Sequence, residues 1–96
     1  MTWINTIPAS EATGPLREAY ERIYALYPPE YAAEVPAVTR PDGTADSIVA
    51  SHSQLPQVME PIFVALGRLL SPELPLTRRQ HEMITTLVSS LNRCRY

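Results

Sequence analysis

Ten prolines against three glycines, in 96 residues, set the punctuation of this chain. That is about twice the ordinary proline share of roughly 5%. Proline has no backbone N–H and a fixed φ, so it stops helices or sits in their first turn. Here the prolines fall mostly between stretches of periodic apolar residues and mark the boundaries of short segments.

Between those marks the spacing predicts helices. Thr13 or Gly14 caps the first, with Pro15 in its opening turn. Leu16, Tyr20, Ile23, Tyr24 and Tyr27 share one face, Arg17–Glu21 and Glu18–Arg22 make i,i+4 pairs, and Pro28-Pro29 stops it. Pro28 to Thr44 reads as a long loop that wraps a partner subunit or covers a site. A short helix is expected over Ala45–His52 and a longer one over Leu55–Leu70. Val58, Ile62, Leu66 and Leu69 are the expected stripe of the longer helix, and Pro61 should kink it or shift its start. Thr77-Arg78-Arg79-Gln80 fits a capping box, followed by Ile84, Leu87, Val88 and Leu91 at helical spacing and Asn92 as a left-handed cap. Trp3 to Ile7 reads as an extended arm, a strand only if it finds a partner. The expected fold is all-α, about four helices, in one domain over residues 1–96.

Composition removes several function classes. The chain is 45% hydrophobic and 19% charged, which is a globular balance. A net charge of −2 offers no field for nucleic acid or an anionic membrane. All eight basic residues are Arg, which reads as genome composition before function. The longest apolar run, Ile62 to Leu66, is far short of the roughly 20 residues that span a bilayer. With no basic and apolar leader at Met1–Asn5, the expected location is the cytoplasm. One cysteine excludes an internal disulfide framework, and two histidines with one cysteine are too few ligands for a self-contained zinc site.

Few residues can carry chemistry. Cys94 is the one good nucleophile, and flanking Arg93 and Arg95 favour its thiolate. Read alone, it is as well explained as a small apolar residue after a helix. Glu82, alone, is a solvated helix carboxylate. His81 and the Arg78-Arg79 pair read as solvent-exposed, His52 as a hydrogen-bonded packing residue, and the five tyrosines as core and interface.

Glu82 and Cys94 read together carry more. The run Leu76-Thr77-Arg78-Arg79-Gln80-His81-Glu82-Met83-Ile84, then Val88-Ser89-Ser90-Leu91-Asn92-Arg93-Cys94-Arg95-Tyr96, resembles the carboxymuconolactone decarboxylase-like superfamily. Within it the chain is most similar to alkyl hydroperoxidase D-like, peroxidase-related proteins. Thr2-Trp3-Ile4, Ile7-Pro8, Ala12-Thr13-Gly14-Pro15-Leu16, Tyr20 and Ala50-Ser51-His52-Ser53 resemble that branch too. The likeness spans most of these residues, but only the N-terminal half of a typical member.

The resemblance implies a Glu, a Cys-x-x-Cys pair and a later His. The family's Glu stands twelve positions before its first Cys, and Cys94 stands twelve after Glu82. This carries Glu82 over as proton relay and Cys94 as the first, resolving thiol of a peroxide or disulfide reductase. It implies no metal, haem or flavin, a peroxide substrate, a dithiol reductant and a homo-oligomer. The second redox residue would follow Tyr96 directly. One expectation is a selenocysteine there, with its UGA codon read as stop; a natural fragment or a pseudogene are the alternatives. A lactone-acid decarboxylase, which generally does without the Cys pair, and an inactive helical fragment or subunit-interaction module are the other readings.

Overall fold

A computed structural model describes residues 3–32, 36 and 47–94. Among them lie three helices, α1 (Gly14–Tyr24), α2 (Pro56–Leu69) and α3 (Arg78–Leu91), and two 3-10 turns, Pro29–Ala32 and Ala50–His52. The chain is all-α there, with three helices rather than about four. The helix expected over Ala45–His52 is a single 3-10 turn, and residues 45–46 lie outside the described set, as does most of the Pro28–Thr44 loop.

α1 begins where a backbone device allows it. Gly14 has φ +53, in the left-handed region, and open space surrounds the position a Cβ would take. Pro15 follows with its φ already helical. Leu16, Ala19, Tyr20 and Ile23 then fall on one buried face. On the wet side Arg17 and Glu21 pair at 3.1 Å, and Arg22 and Glu18 at 3.6 Å.

α1 packs on α2, as does the turn Ala50–His52. The α2 residues in this core are Met59 and Phe63, with Gly67 one turn on. This overturns the expected stripe: Val58, Ile62, Leu66 and Leu69 are all exposed. The two stripes lie one residue apart, about 100° around the helix. The second has a branched aliphatic side chain at every position and wins on hydrophobicity alone. The first contains Gly67, whose missing side chain is what lets α1 approach: a Cβ there would stand 2.7 Å from Leu26 Cβ. Pro61 does not stop α2 or shift its start. It is exposed, so the Gln57 carbonyl it leaves unbonded faces water. Arg22 and Glu60 bridge the two helices with paired contacts of 2.6 and 2.8 Å.

The arm before α1 is held by side chains, and no strand forms among the described residues. Ile7 N–H donates to buried Ser53 Oγ at 2.9 Å, and Tyr20 Oη donates to the Ile7 carbonyl at 2.7 Å. Gln54 Nε2 donates to the Asn5 carbonyl. Three of the arm's backbone groups thereby find side-chain partners in place of a hairpin strand. Trp3, at its start, is fully exposed.

α3 packs along neither α1 nor α2 and has no buried residue. Met83, Ile84, Leu87, Val88 and Leu91 are each 50–73% exposed. The predicted apolar stripe is present at the predicted spacing, but nothing in this chain covers it among the described residues.

Candidate functional site

The site is built from the first turn of α3. Thr77 Oγ1 accepts from Gln80 N–H at 3.3 Å, and Gln80 Oε1 accepts from Thr77 N–H at 2.8 Å, so the capping box forms as the sequence predicts. It satisfies two of the helix's orphan donors and fixes where the first turn starts. Arg78 and Glu82 then stand one turn apart on the same face.

Their guanidinium and carboxylate are joined. Arg78 Nε donates to Glu82 Oε1 at 2.7 Å, and Nη2 lies 2.7 Å from the same oxygen. Arg78 is therefore not the solvated side chain the sequence suggests. An Arg in the opening turn opposes the helix dipole, so the helix itself does not favour it there. Tyr31 supplies the reason. Its ring lies under the guanidinium, with 4.8 Å from Cζ to the ring centroid. That is cation–π range. Its Oη donates to Glu82 Oε1 at 3.5 Å. Burial raises the Tyr31 phenol above its usual range, and the Glu82 charge beside it adds to this, while Arg78 pulls the other way. Tyr31 thus stays protonated, a donor to the carboxylate, at neutral pH. All three contacts converge on Oε1. Among the described residues no hydrogen bond reaches Oε2.

Tyr31 is the residue that sequence reasoning missed. It belongs to a ladder of aromatic contacts: Tyr20 on Tyr24 at 5.7 Å, Tyr24 on Tyr27 at 5.5 Å, and Tyr27 on Tyr31 at 5.8 Å. The ladder runs from the buried core at Tyr20 to the Glu82 carboxylate. Its spacing of four, three and four continues past Pro28-Pro29, and that was the available signal. The 3-10 turn Pro29–Ala32 carries it on after the helix stops.

Cys94 lies at the other end of α3. Asn92 is right-handed (φ −79), and Arg93 takes the left-handed place instead (φ 53). Cys94 N–H donates to the Ser89 carbonyl at 2.9 Å and Arg93 N–H to the Ser90 carbonyl at 3.0 Å. This is a Schellman ending, with Arg where Gly is usual. The thiol is free and exposed. The structure does not bring Glu82 and Cys94 together. From Glu82 to Leu91 the helix rises about 13 Å at 1.5 Å per residue.

The histidines do not join them. His52 Nδ1 is within 2.9 Å of the Ile48 carbonyl and 3.0 Å of Ser51 Oγ, and its ring packs edge-on against Phe63, as a packing residue does. His81 is half-buried rather than exposed, and its Nε2 is buried without a partner among the described residues. Among the described residues no group of three His, Cys, Asp or Glu side chains could hold a metal ion, and no helix is long and apolar enough to cross a membrane.

Arg78 also lines a groove of about 400 Å³ between the end of α1, the end of α2 and the start of α3. Leu26, Pro28, Pro29, Leu70 and Pro72 give it an apolar floor. Comparisons with protein-family models, with curated proteins and with solved structures find no match to this chain.

Proposed function

We propose that these residues are the N-terminal part of an alkyl hydroperoxidase D-like bundle, whose activity is thiol-dependent reduction of peroxides or disulfides. Glu82 is the proton relay and Cys94 the resolving thiol. The observation that carries the reading is the uncovered apolar stripe of α3, running between Glu82 at one end and the exposed Cys94 at the other. A helix so exposed needs a covering element. An antiparallel helix following the turn at Arg93 would cover the stripe and carry a second redox residue back toward Glu82.

In the proposed cycle a thiolate or selenolate just after Tyr96 attacks a peroxide oxygen. The O–O bond breaks, the alcohol leaves with a proton relayed through Glu82, and a sulfenic or selenenic acid forms. Cys94 attacks that atom, water leaves, and an intramolecular disulfide or selenenyl sulfide results. A dithiol donor reduces it and ends as its own disulfide. No metal, haem or flavin takes part. A reducing cytoplasm keeps Cys94 a thiol between cycles. The exposed Trp3 arm and Tyr24 are offered as contacts between copies in a homo-oligomer.

A second reading has its own support. Glu82 is already occupied by Arg78 and lies far from Cys94 along α3. Both facts suit an inactive helical fragment or subunit-interaction module.

The codon after Tyr96 tests the first reading. A UGA followed in frame by a His-containing helical segment supports it; UAA or UAG ends the selenocysteine hypothesis. The extended protein with Cys in place of that codon should reduce peroxides with a dithiol and lose turnover in Cys94→Ser and Glu82→Gln. A well-folded extended protein that is inert with several peroxides and dithiols overturns the peroxidase reading.

A further inference from the structure

The groove beside Arg78 is not used by the chemistry above. Its volume of about 400 Å³ falls in the range of small-molecule sites. Its walls are mostly apolar, from Ala25, Leu26, Pro28 and Pro29 on one side and Leu70 and Pro72 on the other. The charged groups that line it are Arg68 from α2, Arg78 from α3 and Glu30 from the 3-10 turn, and Glu82 pairs with Arg78 beside it. An apolar trough ending at a guanidinium with unused donors suits a ligand with an apolar body and one negative end.

Arg78 identifies the chemistry of that end. It already holds a carboxylate, that of Glu82, at 2.7 Å. A guanidinium has five N–H donors in a planar fork, and Glu82 Oε1 engages only the Nε and Nη2 groups. Tyr31 beneath the guanidinium keeps its plane in place while partners change. The Arg78 side chain is one-third exposed, so it can be reached from the groove.

We propose that the groove binds an amphipathic monocarboxylate of medium chain length. Its carboxylate sits on Arg78 and its alkyl chain lies along Leu26, Pro28 and Leu70. The ligand carboxylate competes with Glu82 for the guanidinium. Capture of the ligand therefore loosens Glu82 from Arg78. Where Glu82 serves as proton relay, this couples ligand binding to release of the relay. That consequence rests on the peroxidase reading, whereas the binding itself does not.

The test uses the 96-residue chain and sodium octanoate, with 1-octanol as the uncharged comparison, followed by side-chain NMR. Octanoate should shift the Arg78 Nε–H signal and the Leu26 and Leu70 methyls, and should bind at least tenfold more tightly than octanol. Arg78→Gln should weaken octanoate at least tenfold and leave octanol unchanged. Arg78→Lys, which keeps the charge and guards against misfolding of the first variant, should weaken it less. Glu82→Gln removes the internal competitor and should tighten octanoate severalfold. Three results would each overturn the proposal. These are equal binding of octanol and octanoate, octanoate affinity unchanged in Arg78→Gln, or shifts confined to the Leu87 and Leu91 methyls of the exposed stripe. None of these readouts needs turnover, so failure here is separable from failure of the peroxidase reading.

Discussion

Gly67→Ala tests how α1 and α2 meet. Alanine is the better helix former, by about 0.8–1.0 kcal/mol, so an isolated α2 would gain from the change. The packing opposes it. The new Cβ would stand 2.7 Å from Leu26 Cβ, where carbon atoms at rest keep about 3.5–4.0 Å. The near atom is a Cβ fixed to the backbone, so rotation of the Leu26 side chain cannot clear it. The helix ends must part by about 1 Å, and overpacking of this kind costs about 1–3 kcal/mol. The net expectation is a loss of up to about 2 kcal/mol. At this chain length that lowers the melting temperature by roughly 4–8 °C per kcal/mol. Urea unfolding followed by circular dichroism reads it as a lower midpoint with an unchanged slope. Gly67 and Leu26 also line the groove, so octanoate binding should weaken in the same variant. A variant more stable than the parent by the full propensity gain of about 0.8–1.0 kcal/mol would show that the chain after α1 does not approach Gly67 this closely.

Other substitutions probe the remaining joints. Arg93→Gly places glycine at the left-handed position that ends α3 and should stabilise by about 0.5–1 kcal/mol, read from the urea midpoint. Leu87→Ala should cost about 1 kcal/mol or less, because the side chain is 61% exposed, whereas Met59→Ala, fully buried, should cost about 2–5 kcal/mol. Equal costs at the two sites would mean that α3 is packed within the monomer. Hydrogen bonds from Arg22 hold the Glu60 carboxyl below its ordinary range. The charged form is therefore favoured by folding. The pair's contribution is complete above the ordinary glutamate value of about 4.3 and is lost as pH falls through the lower folded value. The acid-side fall in the urea midpoint should be shallower in Glu60→Gln.

What the sequence made legible was local. The capping box at Thr77 and the Leu16–Tyr20–Ile23 face follow from rules that act within a turn or two, and each is present, whereas α1 ends at Tyr24, before Tyr27 and before the expected stop at Pro28-Pro29. What it hid was relative. The buried face of α2 depends on a glycine, which carries no hydrophobic weight and matters only because Leu26 comes close. Tyr31 lies in a proline-rich stretch that reads as loop, so its contact with Arg78 and Glu82, across some fifty residues, has no local signature. His52 was readable because its partners, Ile48 and Ser51, are near in sequence. His81 was not, because half-burial at the start of α3 depends on what packs beside it.

The two ends of α3 constrain any mechanism that uses both. Glu82 sits one turn in from the capping box, and Cys94 follows the Schellman turn. The roughly 13 Å of helix between them is too long for a proton to pass directly. A link requires a second element lying alongside α3, and the composition of α3 suits one. From Met83 to Asn92 there is no charged residue. Its small polar residues Thr85, Thr86, Ser89 and Ser90 sit beside an apolar stripe that is at least half exposed. A solvent-facing helix would carry charges on its wet side. Charge depletion around exposed Leu87 and Leu91 is the pattern of an interface core. The groove and its Arg78 lie at the Glu82 end, on the side where Tyr31 packs. A covering element along the stripe would thus leave the groove open. Ligand entry at Arg78 and thiol chemistry at Cys94 can then occupy different ends of one helix, with Glu82 the group that both would share.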